Sequence, residues 1–157
     1  FWPLAEEQDI PVMLLVPHSK SKVAEIAAAH PRLRIAIDHM GVLGNTVDDA
    51  IAPYIEATAA LARYPNVSVK LTNLPSFSTA PYPFENLIPH VRTLVQSFGA
   101  QRCFWGTDIS RMLGKYKVGY ANGIALVTDH MPFLSESEKA LILGDALCSW
   151  LRWPRRQ

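Results

Sequence analysis

Three polar residues that can take part in metal or proton chemistry stand just after apolar runs of the sequence. His39 follows the run 33–37 (LRIAI) by two positions, and Asp108 follows the run 102–105 (RCFW) by three. A neutral imidazole can bind a divalent metal or carry a proton, and a carboxylate beside a metal can take a proton from an attacking water. Arg111, three residues beyond Asp108, can hold a substrate carboxylate through paired hydrogen bonds. We expect these residues to share one site.

Four short apolar runs are predicted to be the strands that position these residues, at 11–16, 33–37, 67–71 and 102–105. Helical patterns lie between them and after the last one, at 21–29, 47–63, 87–98, 118–130 and 135–151. Strands that alternate with helices predict parallel pairing through right-handed crossovers. The sequence therefore predicts an α/β fold with one parallel sheet.

Local signals mark where several of these helices begin and end. Thr46 is a candidate N-cap for the segment 47–63, although Pro53 indicates that the helix either kinks or starts near that residue. Gly99 is a suitable terminator after 87–98. Ser135 followed by Glu138 has the spacing of a capping box.

The strand ends favour half of an eight-stranded barrel over a small doubly wound sheet. In barrels, functional groups stand at the carboxyl ends of strands, where His39 and Asp108 are found. The third strand carries Lys70 and ends at Thr72 and Asn73. Neither a G-x-G-x-x-G nor a G-x-x-x-x-G-K-[ST] phosphate loop occurs. A flavodoxin-like binding module remains an alternative without a ligand loop to support it.

Composition limits the class of protein and of partner. The chain has 157 residues, 49% of them hydrophobic and 18% charged, which fits one folded domain, 1–157. A formal net charge of +1 gives no electrostatic case for nucleic acid. No apolar run approaches the roughly 18 residues that a membrane helix requires. Cys103 and Cys148 form no C-x-x-C motif, so a reducing, cytoplasmic location is expected.

Three stretches together resemble the amidohydrolase-related family of metal-dependent barrel hydrolases. They are 30–41 (HPRLRIAIDHMG), 66–78 (NVSVKLTNLPSFS) and 98–112 (FGAQRCFWGTDISRM). The resemblance extends from about Pro11 to Trp150. It implies that the four strands correspond to strands five to eight of a (β/α)8 barrel, so the expected fold is the C-terminal half of that barrel. Members of the family include lactonases, decarboxylases and other hydrolases of carboxylated or cyclic small molecules.

The resemblance also implies roles for the strand-end residues. Asp108 binds a divalent metal, zinc or manganese, or acts as a general base towards a water that the metal activates. His39 binds the metal or contacts substrate, Arg111 contacts substrate, and His18 lies close to the end of the fifth strand, where it contacts substrate. The family's His-x-His pair is absent from this sequence. Since a catalytic zinc site usually has three protein ligands, we expect the isolated chain to bind metal weakly or not at all.

Each of these residues also has a purely structural interpretation. Asp108 can act as the N-cap of a following helix, and His39 can pack beneath a loop. Arg111 can be an exposed loop residue without a role in binding. Lys70 is expected to point into the barrel interior, where a buried charge must be paired, so an ion pair is favoured over catalysis.

Three hypotheses follow for the chain as a whole. The first is an incomplete metal-dependent hydrolase acting on a small-molecule lactone, amide or related carboxylated substrate, with decarboxylation as the alternative chemistry of the same family. The second is a catalytically silent half-barrel that pairs as a homodimer or with a missing N-terminal half, since the chain opens with Phe1 rather than Met. Half a barrel leaves strand edges unpaired, and Phe104 and Trp105 are expected to lose part of their packing. The third is the flavodoxin-like module.

Overall fold

Four parallel strands form one sheet at the centre of the fold. The computed structural model describes residues 1–153, so the last four residues of the predicted domain 1–157 lie outside the described part. The strands are β1 (Val12–Leu14), β2 (Ile35–Ile37), β3 (Val67–Thr72) and β4 (Cys103–Gly106), in the order β1-β2-β3-β4. Every neighbouring pair is parallel. The four predicted strands are therefore confirmed, although β1 is shorter than the run 11–16.

Helices connect the strands and continue after the last one. They are α1 (Trp2–Glu7), α2 (Lys20–Ala29), α3 (Ala52–Ala59), α4 (Ile88–Phe98), α5 (Ile109–Gly114), α6 (Tyr120–Thr128), α7 (Glu136–Ala140) and α8 (Ala146–Leu151). This succession confirms the predicted α/β fold and adds α5, which the sequence patterns did not reveal. Among residues 1–153, the structure contains no helix with the length and apolar character needed to cross a membrane.

The segment 47–63 is helical but divided into three parts. Short 3-10 turns lie on either side of α3, which begins at Ala52 with Pro53 in its first turn. Proline lacks an N–H and therefore fits the first turn of a helix but not its interior. Thr46 is not the N-cap, because the N-cap position of the first turn is Val47. The start near Pro53, which the sequence allowed, is confirmed.

The segment 135–151 is also divided. Its start is as predicted, since Ser135 Oγ accepts the Glu138 N–H at 3.3 Å and the Glu138 carboxylate accepts the Ser135 N–H at 2.8 Å. However, a π-turn at Leu141–Asp145 separates α7 from α8, and Gly144 within it has an extended φ of 171°. The break allows α8 to take a direction of its own.

The two faces of the sheet are covered differently. Residues on the outer face pack with α2, α3 and α4 into the main core, and these strand residues are Ile35, Ile37, Val67, Val69, Leu71 and Cys103. Because side chains alternate along a strand, Ala36, Lys70 and Phe104 lie on the opposite, concave face. The main core is therefore on the side of α2, α3 and α4, and the concave face carries Lys70 beside a smaller apolar cluster around Ala36 and Phe104.

The C-terminal helix α8 covers part of the concave face. Phe104 is 1% exposed and packs with Ala36 and Ala146, and its ring centre lies 5.4 Å from that of Trp150. Arg34, just before β2, donates to the Trp150 carbonyl and lies over its indole ring. The expectation that Phe104 loses packing is therefore wrong, because α8 shields it at the end where the strands begin. The carboxyl ends of the strands stay open.

We expect the chain to self-associate through the edge of β1. In the described residues, β1 pairs only with β2, and Met13 within it is 41% exposed. Val12 N–H donates to the Arg34 carbonyl, which places the N–H of Met13 on the open edge. Unpaired strand edges are templates for pairing with another chain. Size-exclusion chromatography with light scattering at increasing concentration should therefore detect species larger than the monomer.

Two variants of Met13 separate the causes of this association. Met13→Pro removes the edge donor without touching the bonds to β2, and it should shift the population towards monomer. Met13→Ala removes the apolar side chain but keeps the donor, and it should associate nearly as well as the parent chain. A monodisperse monomer at high concentration in the parent chain would show that the edge is not adhesive.

Candidate functional site

A residue with left-handed backbone geometry follows each of three neighbouring strands. These residues are His39 after β2, with φ of 50°, Asn73 after β3, with φ of 62°, and Asp108 after β4, with φ of 50°. Residues other than glycine adopt this region at a cost, which Asn and Asp bear most readily. Such strain is concentrated at ligand sites. The shared geometry turns the chain sharply at the carboxyl edge of the sheet.

The structure brings His39, Asp108 and Arg111 to one rim. His39 Nε2 lies 4.0 Å from Asp108 Oδ2, and Arg111 Nε lies 3.8 Å from the same oxygen. A cleft of about 350 Å³ opens over them, lined by Leu15, His39, Val42, Gly44, Asn73, Phe77, Asp108 and Arg111. The position of these groups follows from parallel strands whose carboxyl ends meet at one edge.

The imidazole of His39 is held at one nitrogen and available at the other. Nδ1 is hydrogen-bonded to Thr72 Oγ1 at 2.7 Å, so β3 orients a ring that belongs to the end of β2. Burial lowers the pKa of His39, while the negative charges of Asp38 and Asp108 oppose that shift. The ordinary pKa of histidine is about 6.5, so the ring is neutral at pH 7. Nδ1 is thus engaged with Thr72, while Nε2 faces the Asp108 carboxylate.

Lys70 forms an ion pair beneath the rim. Its Nζ lies 2.6 Å from Asp38 Oδ1 on the concave face, and both side chains are about three-quarters buried. This confirms the structural ion pair expected for Lys70. The two charges act in opposite directions on the pKa of His39, which Asp38 raises and Lys70 lowers.

The other candidate residues are placed differently. Arg111 lies in the first turn of α5, and its half-exposed side chain lines the cleft beside Asp108. Asp108 occupies the N-cap position of α5, but in the described part of the chain its carboxylate makes no capping hydrogen bond. His18 is exposed and packs edge-on against Tyr54, with ring centres 6.1 Å apart. Its contact with substrate stays a prediction.

Asn73 and Thr72 are residues of this site to which the sequence assigned no role. Asn73 is 5% exposed and lines the cleft, and its side-chain amide makes no hydrogen bond to any residue within 1–153. Because it lines the cleft, this amide adjoins any ligand that enters it. The available signal was its position, directly after a strand, as for His39 and Asp108.

The donor set for a metal ion is partial in this chain. Zinc takes imidazole nitrogen and carboxylate oxygen as ligands, so His39 Nε2 and Asp108 Oδ2, which lie 4.0 Å apart, are the donors that this chain would supply. No group of three or more His, Cys, Asp or Glu side chains suited to a metal occurs among the described residues. The two donors fit a metal ion, and a complete site requires at least one more ligand.

We therefore expect the isolated chain to retain much less than one equivalent of zinc or manganese through dialysis. Two protein ligands leave most of the coordination sphere to water, and catalytic zinc sites usually have three. Elemental analysis after dialysis measures the retained metal. One equivalent that disappears in both His39→Ala and Asp108→Asn would show instead that two donors suffice.

Comparison with known proteins gives the family and the fold of this chain. The amidohydrolase family model matches residues 1–146. The chain is 31% identical over 146 residues to an L-fucono-1,5-lactonase of Burkholderia ambifaria, covering 90% of this chain and 49% of that protein. A zinc-bound amidohydrolase from Burkholderia multivorans superposes with a TM-score of 0.83 at 21% identity, covering 98% of this chain and 56% of the other. A putative 2-pyrone-4,6-dicarboxylic acid hydrolase from Pseudomonas putida gives 0.76 at 19% identity, with coverages of 99% and 56%.

The chain spans about half the length of these relatives. Its four strand–helix units thus have the fold of half a (β/α)8 barrel, in agreement with the expectation from the sequence. The family match extends through β4 and the rim residues that follow it. The chain belongs to the amidohydrolase family.

Proposed function

We propose that this chain supplies the C-terminal half of the active site of a metal-dependent hydrolase that opens small lactones. The observation that carries the proposal is the convergence of His39 Nε2 and Asp108 Oδ2, 4.0 Å apart, at the open rim of the sheet. The similarity to an L-fucono-1,5-lactonase supports the lactone as substrate, over the half of that enzyme that the chain covers.

The residues of the rim have distinct tasks in this proposal. His39 and Asp108 hold a divalent ion, zinc or manganese, together with ligands from outside this chain. When bound, such an ion polarises the substrate carbonyl and lowers the pKa of water. Thr72 holds the ring of His39 at Nδ1, which leaves Nε2 facing Asp108 for this role.

Asp108 is the proton carrier. Its carboxylate takes a proton from the attacking water as the water oxygen bonds to the ester carbonyl carbon. The same proton then passes to the ring oxygen as the carbon–oxygen bond breaks, so lactone and water become one hydroxy acid. Arg111 donates to a substrate carboxylate or oxygen from the side of the cleft. Asn73 offers its unpartnered amide to a substrate hydroxyl or carbonyl.

The proposal is tested on the whole protein that contains this chain. Hydrolysis of a panel of sugar lactones and carboxylated lactones is followed with a pH indicator, after removal of metal with a chelator and again after addition of zinc or manganese. We expect turnover to vanish on chelation and to return with metal. Carbon dioxide release from carboxylated aromatic acids, without lactone opening, would assign decarboxylation instead. Lactone turnover that is insensitive to the chelator would contradict the role of the metal.

A further inference from the structure

Lys20 is a buried cation that the proposed chemistry does not use. It is the first residue of α2 and is 9% exposed. No carboxylate lies within ion-pair distance of its Nζ among residues 1–153, although the ring of Tyr54 lies beneath it at 5.3 Å. Burial without a carboxylate is unfavourable for an ammonium group, and the positive end of the helix dipole adds to the cost. A charge kept under these conditions points to a specific task.

The Nζ of Lys20 donates to two backbone carbonyls on different loops. One is Pro17 O at 2.8 Å, in the loop after β1, and the other is Gly41 O, in the turn after β2. Burial lowers the pKa of Lys20 to about 8, so the group remains largely charged at pH 7. Hydrogen bonds from a charged donor are the stronger kind. Lys20 therefore ties the loop that carries His18 to the turn that carries His39.

The turn that Lys20 binds is the most strained segment near the site. His39, Met40 and Gly41 have successive φ values of 50°, 56° and 67°. Thr58, fully buried on α3, donates through Oγ1 to the Met40 carbonyl at 3.0 Å. A Cβ added at Gly41 would collide with Thr58 Oγ1 and Lys20 Cε, so the two side chains close directly on the backbone. Consecutive left-handed residues persist only where the surroundings fix them.

From this arrangement we infer that Lys20 and Thr58 are positioning residues that hold the turn of residues 39–41 and thereby aim the His39 imidazole at Asp108. The inference rests on the proposed function only for the use that His39 makes of its position. Lys20 and Thr58 bind the backbone carbonyls of the turn, while Thr72 binds the imidazole ring at Nδ1. Together they hold Nε2 in place without touching the metal or the substrate.

The test uses the chain itself and needs neither metal nor substrate. Nuclear magnetic resonance measures the one-bond Cα–Hα couplings of His39 and Met40, which report the sign of φ, and the exchange rate of the Val42 amide, which donates to the His39 carbonyl at 3.0 Å. Lys20→Met should speed exchange of the Val42 amide by about tenfold, as expected for loss of one hydrogen bond. Lys22→Met is the matched control, because Lys22 lies on the same helix, is exposed and pairs only locally with Glu25.

A second pair of variants decides the matter if Lys20→Met fails to fold. Thr58→Val removes the hydroxyl at nearly constant volume and should loosen the turn, whereas Thr58→Ser keeps the hydroxyl and should restore its protection. In the whole protein, Thr58→Val should lower kcat while leaving KM within about twofold, as expected for misplaced catalytic geometry. Unchanged couplings and exchange in both Lys20→Met and Thr58→Val would overturn the inference, whether or not the protein opens lactones. If the variants loosen the turn as expected but the whole protein does not open lactones, only the proposed function is contradicted.

Discussion

Asp108→Asn is expected to reduce kcat for lactone opening by about 10²–10⁴-fold, the usual contribution of a positioned proton carrier. The Asp108 carboxylate lies at the rim with Oδ2 4.0 Å from His39 Nε2, and it is the group proposed to take the proton from water. The amide has the same shape but cannot accept that proton. Asn also tolerates left-handed backbone, so the φ of 50° at this position should be retained.

The matched control is Asp49→Asn. The Asp49 side chain is fully exposed in the 3-10 turn before α3, so its replacement should leave kcat and KM unchanged. Steady-state kinetics, circular dichroism and metal content should be measured on both variants. If Asp108→Asn keeps its metal but loses turnover, Asp108 acts as the base. If the variant loses its metal, Asp108 is a metal ligand. A folded Asp108→Asn variant with near-parental kcat would remove Asp108 from the mechanism.

Phe104→Ala is expected to lower the free energy of unfolding by about 3–5 kcal/mol, the usual cost of truncating a buried Phe. Phe104 is 1% exposed between the concave face and α8, where it contacts Ala36, Ala146 and Trp150. Domain stabilities are only about 5–15 kcal/mol, so this single contact is a large share of the total. Loss of the ring should also release α8, because the adjacent contacts to Trp150 depend on the same surface.

Phe133→Ala is the matched control for this prediction. Phe133 is only partly buried and lies beneath the Arg92 guanidinium at 4.8 Å, away from the concave face. Urea unfolding at low protein concentration, followed by tryptophan fluorescence and far-ultraviolet circular dichroism, compares the two variants. Equal losses of stability would show that α8 contributes nothing special by covering Phe104.

The order of strands and helices was accessible from the sequence because short apolar runs, helical periodicity and chain direction are local properties. Once β2 and β4 are taken as parallel strands, His39 and Asp108 must emerge at the same edge of the sheet. The ion pair of Lys70 followed from the alternation of side chains along β3. The capping box at Ser135 followed from residue types at a fixed spacing. Each of these conclusions needs only the residues within one strand or helix and the rule that the strands pair in parallel.

Other features depended on contacts between distant parts of the chain. Lys20 lies just before the predicted helix 21–29, and only the approach of the turn at Gly41 shows that it is buried and bound there. Thr72 and Asn73 belong to the site because β3 lies between β2 and β4, so its end is next to both His39 and Asp108. His18 lies four residues after the end of β1, and its ring packs against Tyr54 from α3, which the sequence around His18 does not indicate.

The fold of α8 over the concave face is the clearest case of a feature that the tertiary structure alone decided. Residues 135–151 read as one helix, because helical periodicity does not register a break at Gly144. Arg34 and Trp150 meet across 116 positions of sequence, and no pattern within either segment records the other. The apolar concave surface at Ala36 and Phe104 must be removed from water, and α8 is the helix within reach. The contact between α8 and the concave face was therefore determined by the burial of apolar surface that only the folded chain brings together.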